Sequence, residues 1–216
     1  MNIVETIALT CPNCEAEFSS QRLDAGNIPG QKATDFRLCT NGIHPLPYAV
    51  HLCEQCGFAG PEEWFANGHV SFEVRRHVWD EITPRLDSHA VLPSEKYEFA
   101  AKVATWDGAS PRQIADLWLR AAWCCVDEHD PEAERFYRRH AAWSFAEALE
   151  TYDGIDRNSR AVITYLVGEL WRRIGDVAQA NAWFDRVQHE VVDSAHEGWI
   201  VQWAKRQHDD PLERFV

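Results

Sequence analysis

The 216-residue sequence is short of positive charge. Only 21 lysines and arginines stand against 34 aspartates and glutamates, a formal net charge of −13. In the first sixty residues the basic side chains are Arg22, Lys32 and Arg37, against six acidic ones. Proteins that bind nucleic acid do so largely by neutralising phosphates with lysine and arginine. The composition therefore argues against a nucleic acid as the partner of this region.

Long apolar runs are also lacking. The longest, such as residues 121–126, fall far short of the roughly 20 residues that a membrane-spanning helix needs. Residues 1–10 have no basic start and no small-residue cleavage site, and Glu5 interrupts their apolar stretch, so they are unlike a signal peptide. With 45% hydrophobic residues the chain can bury a core. We therefore expect a folded, soluble, cytoplasmic protein without a membrane span.

The common catalytic signatures are missing from the sequence. It has no GxSxG nucleophile elbow, no phosphate-binding P-loop and no glycine-rich dinucleotide fingerprint. His189-Glu190 begins like the zinc-protease motif HExxH, but Asp193 stands where the second histidine is required. We expect no catalysis, and an enzyme would have to use a site of another kind.

Cysteine, in contrast, is present in an informative arrangement. Four of the seven cysteines form two CxxC pairs, Cys11/Cys14 and Cys53/Cys56. Each pair places two thiolates on one tight turn. Two such turns complete the tetrahedral coordination of a metal ion, with metal–sulfur distances of about 2.3 Å. We predict one structural zinc ion bound by these four residues, with iron or a redox dithiol as alternatives. A closed four-thiolate site leaves no open position for catalysis.

The remaining cysteines and two nearby histidines are predicted to have no metal role. Cys39, His44 and His51 lie close enough in sequence to act as ligands, but four cysteines already complete the site. Cys124 and Cys125 are adjacent on a predicted helix, so both cannot face one ion. We expect these two to be small buried apolar groups.

The pattern of polar and apolar residues changes after residue 60. Before it, strands are predicted at residues 3–10 and 47–52, each leading into a CxxC pair, with an irregular or hairpin-rich insert between them. After it, helix-start signals recur at Ser110-Pro111 and Asp130-Pro131. The predicted fold is α+β and mostly α: a zinc-ribbon-like lobe at 1–60 with a long insert between its knuckles, connecting helices at 61–92 and a TPR-like helical domain at 93–216.

One helical hairpin has the spacing of a tetratricopeptide (TPR) repeat, in which small residues let two helices approach and aromatic residues fill the groove between them. The residues with this spacing are Gly168, Trp171, Gly175, Ala180 and Phe184. In such a hairpin the first helix lines a concave face. We therefore predict a partner-binding face formed by Tyr165, Glu169, Arg172 and Arg173, where the arginines would bind the carboxylate of an extended peptide. The alternative is a simple surface ion pair between Glu169 and Arg173, with Arg172 solvated.

Several motifs together carry a family resemblance. They are Cys11-Pro12-x-Cys14, Asp35-Phe36, Gly42-Ile43-His44-Pro45-Leu46-x-Tyr48-x-Val50, Cys53-x-x-Cys56-Gly57-Phe58-Ala59, Ala121-Ala122-Trp123-Cys124, Gly168-Glu169-Leu170-x-Arg172-Arg173-x-Gly175 and Ala195-x-Glu197-x-Trp199. The sequence resembles an uncharacterised bacterial family of unknown function, DUF2225, in which a cysteine-rich lobe precedes TPR-like helices. The resemblance implies this architecture and no activity.

The function that these observations favour is a zinc-binding helical scaffold for a protein or peptide partner. A nucleic-acid-associated zinc ribbon is the first alternative, and an enzyme with an unrecognised site is the second. The identity of the partner and the oligomeric state do not follow from the sequence.

Overall fold

The computed structural model describes residues 3–24, 29–40, 42–66, 70–86, 90–151 and 155–215. Within these ranges the strands are β1 (Ile3–Thr10), β2 (Glu17–Asp24), β3 (Gly30–Lys32), β4 (Leu38–Thr40), β5 (His51–Leu52) and β6 (Ala59–Gly60). The α-helices are α1 (Glu62–Ala66), α2 (Phe72–His77), α3 (Pro93–Trp106), α4 (Pro111–Glu128), α5 (Pro131–Thr151), α6 (Arg160–Ile174), α7 (Val177–Glu190) and α8 (Ser194–Asp209). The predicted α+β, mostly α class is confirmed.

The strands form three separate antiparallel hairpins, β1–β2, β3–β4 and β5–β6. The strand predicted at 3–10 coincides with β1, whereas its partner β2 was not predicted. The strand predicted at 47–52 is wrong over most of its length. Residues Leu46–Tyr48 form a 3-10 helix, because Pro45 and Pro47 fix their φ angles and Pro47 has no N–H to donate to a sheet. Only His51 and Leu52 remain as strand β5.

The larger helices are arranged in sequence order. From α3 to α8 each helix packs against the next, and α6 also packs against α8. The predicted caps are present: the Ser110 hydroxyl accepts a hydrogen bond from the Gln113 backbone N–H, and Asp130 accepts one from the Ala133 backbone N–H. None of the helices in the described part of the chain is long and apolar enough to cross a membrane.

Gly168 allows α6 and α7 to approach closely. A Cβ at this position would lie 2.7 Å from two ring carbons of Phe184 and 3.2 Å from the Ala180 carbonyl oxygen. α6 then ends at Gly175, whose φ of 97° favours glycine. These are the contacts expected from the spacing of small and aromatic residues, while the assignment of the array as TPR-like stays a prediction.

A single buried cluster joins the cysteine-rich part to the helices. It contains Cys11 and Phe58 from the first part together with Phe99, Leu119 and Leu170 from the array. α3 forms the junction, since it packs against both β6 and α2. The division of the chain at residues 60 and 92 therefore stays a prediction.

The insert between the two CxxC pairs contains the β3–β4 hairpin, whose loop, residues 33–37, reaches the helical array. Thr34 and Asp35 in this loop are fully buried, and Phe36 adopts a φ of 67°. Ala33 forms an antiparallel bridge with Arg214, in the segment that follows α8. Through this loop the described part of the insert contacts the helices and the segment after α8.

Candidate metal centre

Two turns of matching geometry carry the four cysteines of the CxxC pairs. In the first, the Cys11 N–H donates to the Ala16 carbonyl and the Glu15 N–H donates to the Cys11 carbonyl, both at 2.9 Å. In the second, the Cys53 N–H donates to the Phe58 carbonyl at 2.9 Å, and the Gly57 N–H donates to the Cys53 carbonyl at 2.8 Å. The fifth residue of each turn has a positive φ, 65° at Glu15 and 82° at Gly57.

These hydrogen bonds explain why each turn follows a strand. β1 and β2 pair up to Thr10 and Glu17, so the first CxxC pair lies at the end of a hairpin. β5 and β6 frame the second pair in the same way. The chain therefore presents two thiols from each hairpin end on one side of a tight turn.

The four sulfur atoms come together at one point. All lie within 4.8 Å of one another, with Cys11 Sγ 3.7 Å from Cys56 Sγ and Cys14 Sγ 3.6 Å from Cys53 Sγ. A tetrahedral ion with metal–sulfur distances of about 2.3 Å requires sulfur–sulfur separations of about 3.8 Å. The four predicted ligands therefore fit a four-coordinate metal ion.

The crowding of the thiols alters their acidity. Interactions with Cys11 and Cys56 lower the pKa of Cys53, and the interaction with Cys53 raises the pKa of Cys11. The pKa of Cys56 is also raised, by Cys11, by Cys53 and by burial. Four thiolates can share this space only when a cation balances their charge.

Residues after α2 cover the second turn. Thr83 donates its hydroxyl hydrogen to the Cys56 carbonyl oxygen at 2.7 Å, and a Cβ on Gly57 would collide with Cγ2 of Ile82. Cys11, Cys53 and Cys56 are at most 1% exposed. Three of the four cysteines are therefore buried, and Cys14 is partly exposed.

The other candidate ligands lie elsewhere. Cys124 and Cys125 are buried in α4, as the sequence predicted. Cys39 is half-buried in β4, and His44 directs Nε2 to the Leu38 carbonyl oxygen at 3.0 Å. His51 is buried and its Nδ1 lies 2.8 Å from the Ser20 hydroxyl. None of these five side chains belongs to the sulfur cluster in the described part of the chain.

The residues predicted to form a partner-binding face are engaged within the chain. Tyr165 and Glu169 are 0% exposed, which differs from the expected open face. Glu169 accepts hydrogen bonds from Arg172 Nε at 2.8 Å and Arg173 Nε at 2.7 Å. The expected ion pair with Arg173 is present, but it is buried rather than solvated, and Thr34 of the insert donates to Glu169 at 2.6 Å.

A buried ion pair, which the sequence did not predict, fixes the insert to the helices. Asp35 Oδ2 lies 2.8 Å from Nη1 of Arg138 on α5, and both side chains are essentially fully buried. The Trp123 indole N–H donates to the same oxygen at 3.1 Å. Burial alone would raise the pKa of Asp35, but the charges of Arg138 and Arg173 outweigh it and the pKa is lowered. The one available sign was Asp35-Phe36 among the motifs of the family resemblance.

Fold and site together define an α+β, mostly α protein in which four cysteines lie close enough to hold a metal ion. A protein-family model described as an uncharacterised protein conserved in bacteria matches residues 6–210. The chain belongs to this family, DUF2225. No curated protein and no solved structure matches the chain.

Proposed function

We propose that this protein is a zinc-stabilised helical scaffold that binds a protein or peptide. The observation that carries the proposal is the sulfur cluster, in which four thiols from two hairpin ends meet at tetrahedral spacing inside the shared core. Soft thiolate ligands in a tetrahedral, closed arrangement favour zinc over magnesium or calcium, with iron as the competing metal. The role of the ion is then to hold the insert and the helices in one arrangement.

A binding role suits the helical array better than catalysis. Four thiolates fill the coordination sphere of a tetrahedral ion and leave no open position, so the role of the ion would be structural. Stacked helices instead offer extended surfaces formed by several elements, which other helical arrays use to bind peptides. The arginines and aromatic rings around α6 and α8 provide the side-chain types that bind carboxylates and apolar groups.

Charge supports a protein partner over a nucleic acid. Arg22 is already paired with Glu5 and Glu62, and Arg37 is paired with Asp127. Two of the three cations of the cysteine-rich part are therefore committed to carboxylates. A zinc ribbon that binds phosphates would instead leave such cations free of carboxylate partners.

Metal analysis and partner capture test the two halves of the proposal. Protein purified under reducing conditions should contain about one zinc per chain by mass spectrometry, and Cys53→Ser should lose it. The native chain, cross-linked in a lysate of its own host, should capture a protein that binds the purified chain again in reconstitution, whereas Cys53→Ser should not. Protein without zinc or iron contradicts the metal assignment, and capture of nucleic acid with steep salt dependence contradicts the partner class.

A further inference from the structure

The predicted partner-binding residues already contact an extended segment of the same chain. Residues 211–215, the 211–215 segment, follow α8 and cross α6. The Glu213 carboxylate lies 3.0 Å from Nη2 of Arg172 and 2.8 Å from Nη1 of Arg173. These are the two guanidinium groups that the sequence suggested for binding a peptide carboxylate.

The backbone of this segment is bound as well. Gln207 on α8 uses its side-chain amide twice, accepting from the Leu212 N–H at 2.6 Å and donating to the Leu212 carbonyl at 2.9 Å. The Thr34 N–H donates to the Glu213 carbonyl at 3.1 Å, and the Phe215 N–H donates to the Lys32 carbonyl at 3.3 Å. The segment thus forms an isolated antiparallel bridge with the insert, between Ala33 and Arg214, and backbone pairing of this kind is a common way to bind extended peptides.

An aromatic pocket receives the side chain two residues after the carboxylate. The Phe215 ring stacks on Phe36 at 5.5 Å and meets Trp203 edge-on at 4.5 Å between centroids. Tyr165 lies 6.5 Å away. The pocket is built from the insert, α6 and α8, so its walls do not depend on the segment that fills it.

A buried residue, Glu169, positions the side chains that contact the segment. Glu169, itself 0% exposed, fixes both arginines, and it also accepts from Gln207 Nε2 at 3.1 Å. The Glu213 side chain, in contrast, is 67% exposed. A rigid set of donors thus meets an occupant at the surface, as is typical of a preorganised binding site.

We propose that the binding site for this segment, here called the seat, recognises an extended peptide with an acidic residue two positions before an aromatic one. The seat is formed by Lys32, Thr34, Phe36, Tyr165, Arg172, Arg173, Trp203 and Gln207. In the structure the chain's own 211–215 segment occupies the seat. The proposal rests on the proposed scaffold function and specifies the chemistry of its ligand. A tethered segment acts at an effective concentration of about millimolar. It therefore competes with other peptides for the seat, and weak ligands do not displace it.

Peptide binding to the full chain tests the proposal. The double variant Glu213→Lys Phe215→Ala should release the segment while leaving the seat intact. A fluorescent peptide of residues 210–216 with the native sequence should bind this variant at least tenfold more tightly than it binds the native chain, by fluorescence anisotropy. Peptides carrying E213Q or F215A should each bind at least tenfold more weakly than the native peptide.

Two further substitutions in the double variant localise the binding. Arg173→Gln should abolish peptide binding, whereas the matched control Arg186→Gln, at an exposed position on α7, should leave it unchanged. If the double variant does not fold, the single variant Glu213→Gln should still bind the native peptide more tightly than the native chain does. Helicity and zinc content check the fold of each variant.

Two results would overturn the proposal: a folded, zinc-loaded variant that binds the peptide no better than the native chain, or equal loss from Arg173→Gln and Arg186→Gln. In either case a partner captured by the native chain would still support the scaffold function, with its binding surface elsewhere. If the peptide binds tightly but the chain captures no partner, the seat is supported and the scaffold function is not.

Discussion

Removing one member of the buried Asp35–Arg138 pair should destabilise the protein strongly. Loss of one partner of a buried ion pair typically costs about 3–5 kcal/mol, because the other charge is left buried and uncompensated. Arg173 Nε lies 3.9 Å from Asp35, and Glu134 lies 2.7 Å from Arg138, so each orphan keeps a weaker partner. We therefore expect about 3 kcal/mol, at the lower end of that range, for Arg138→Met and for Asp35→Asn.

The double variant distinguishes a pair interaction from two independent losses. With no charge stranded, Asp35→Asn Arg138→Met should lose about 3–4 kcal/mol, less than the about 6 kcal/mol expected for independent sites, a coupling energy of about 2–3 kcal/mol. Urea unfolding followed by tryptophan fluorescence and circular dichroism measures these values. Asp116→Asn is a matched control, since its carboxylate pairs with Arg112 at the surface and such pairs contribute about 0.5 kcal/mol or less. Strictly additive losses, or a control as damaging as Asp35→Asn, would refute the reasoning.

Three further predictions concern the metal centre and acid stability. Cys56→Ser should lose the metal and unfold the cysteine-rich part, whereas Cys39→Ser should keep a full metal content by mass spectrometry. Gly57→Ala should destabilise its turn by at least about 1–2 kcal/mol because of its positive φ, while Glu15→Gly, at the equivalent position of the first turn, should be neutral or stabilising in urea unfolding. Because the folded-state pKa of Asp35 is lowered, its contribution is present above the ordinary value of 3.8 and is lost as pH falls through the folded-state pKa. Native stability should thus fall towards that of Asp35→Asn over this acid range, and a difference that stays constant would contradict it.

The metal centre was predictable because its geometry is local. A CxxC pair constrains two thiols within four residues, and the expectation of a cytoplasmic protein favoured a metal over disulfides. The helix starts at Ser110 and Asp130 were likewise predictable from capping within three residues. In each case the interacting groups are close in sequence, so the pattern alone contains the contact.

The contacts at the predicted binding face could not be predicted in this way, because they join residues far apart in sequence. Asp35 and Arg138 are 103 residues apart, and Thr34 and Glu169 are 135 apart. Nothing in the spacing of α6 indicates that a loop from the insert and the 211–215 segment would meet there. Arg172 and Arg173 contact the carboxylate of Glu213 in the same chain, and their binding of a partner stays a prediction.

The pairing of the insert with the 211–215 segment also affects how the protein is made. The Thr34 N–H finds its acceptor, the Glu213 carbonyl, only after a further 179 residues have been synthesised. The cysteine turns, the helices from α3 to α7 and the Asp35–Arg138 pair can form earlier, whereas the backbone groups of Lys32 and Thr34 must wait for their partners in the 211–215 segment. Contacts of such long sequence separation form slowly because their loop-closure entropy is large. During translation these backbone groups of the insert are therefore left without their partners until the 211–215 segment is made, and exposed unpaired edges of this kind favour misfolding and chaperone binding.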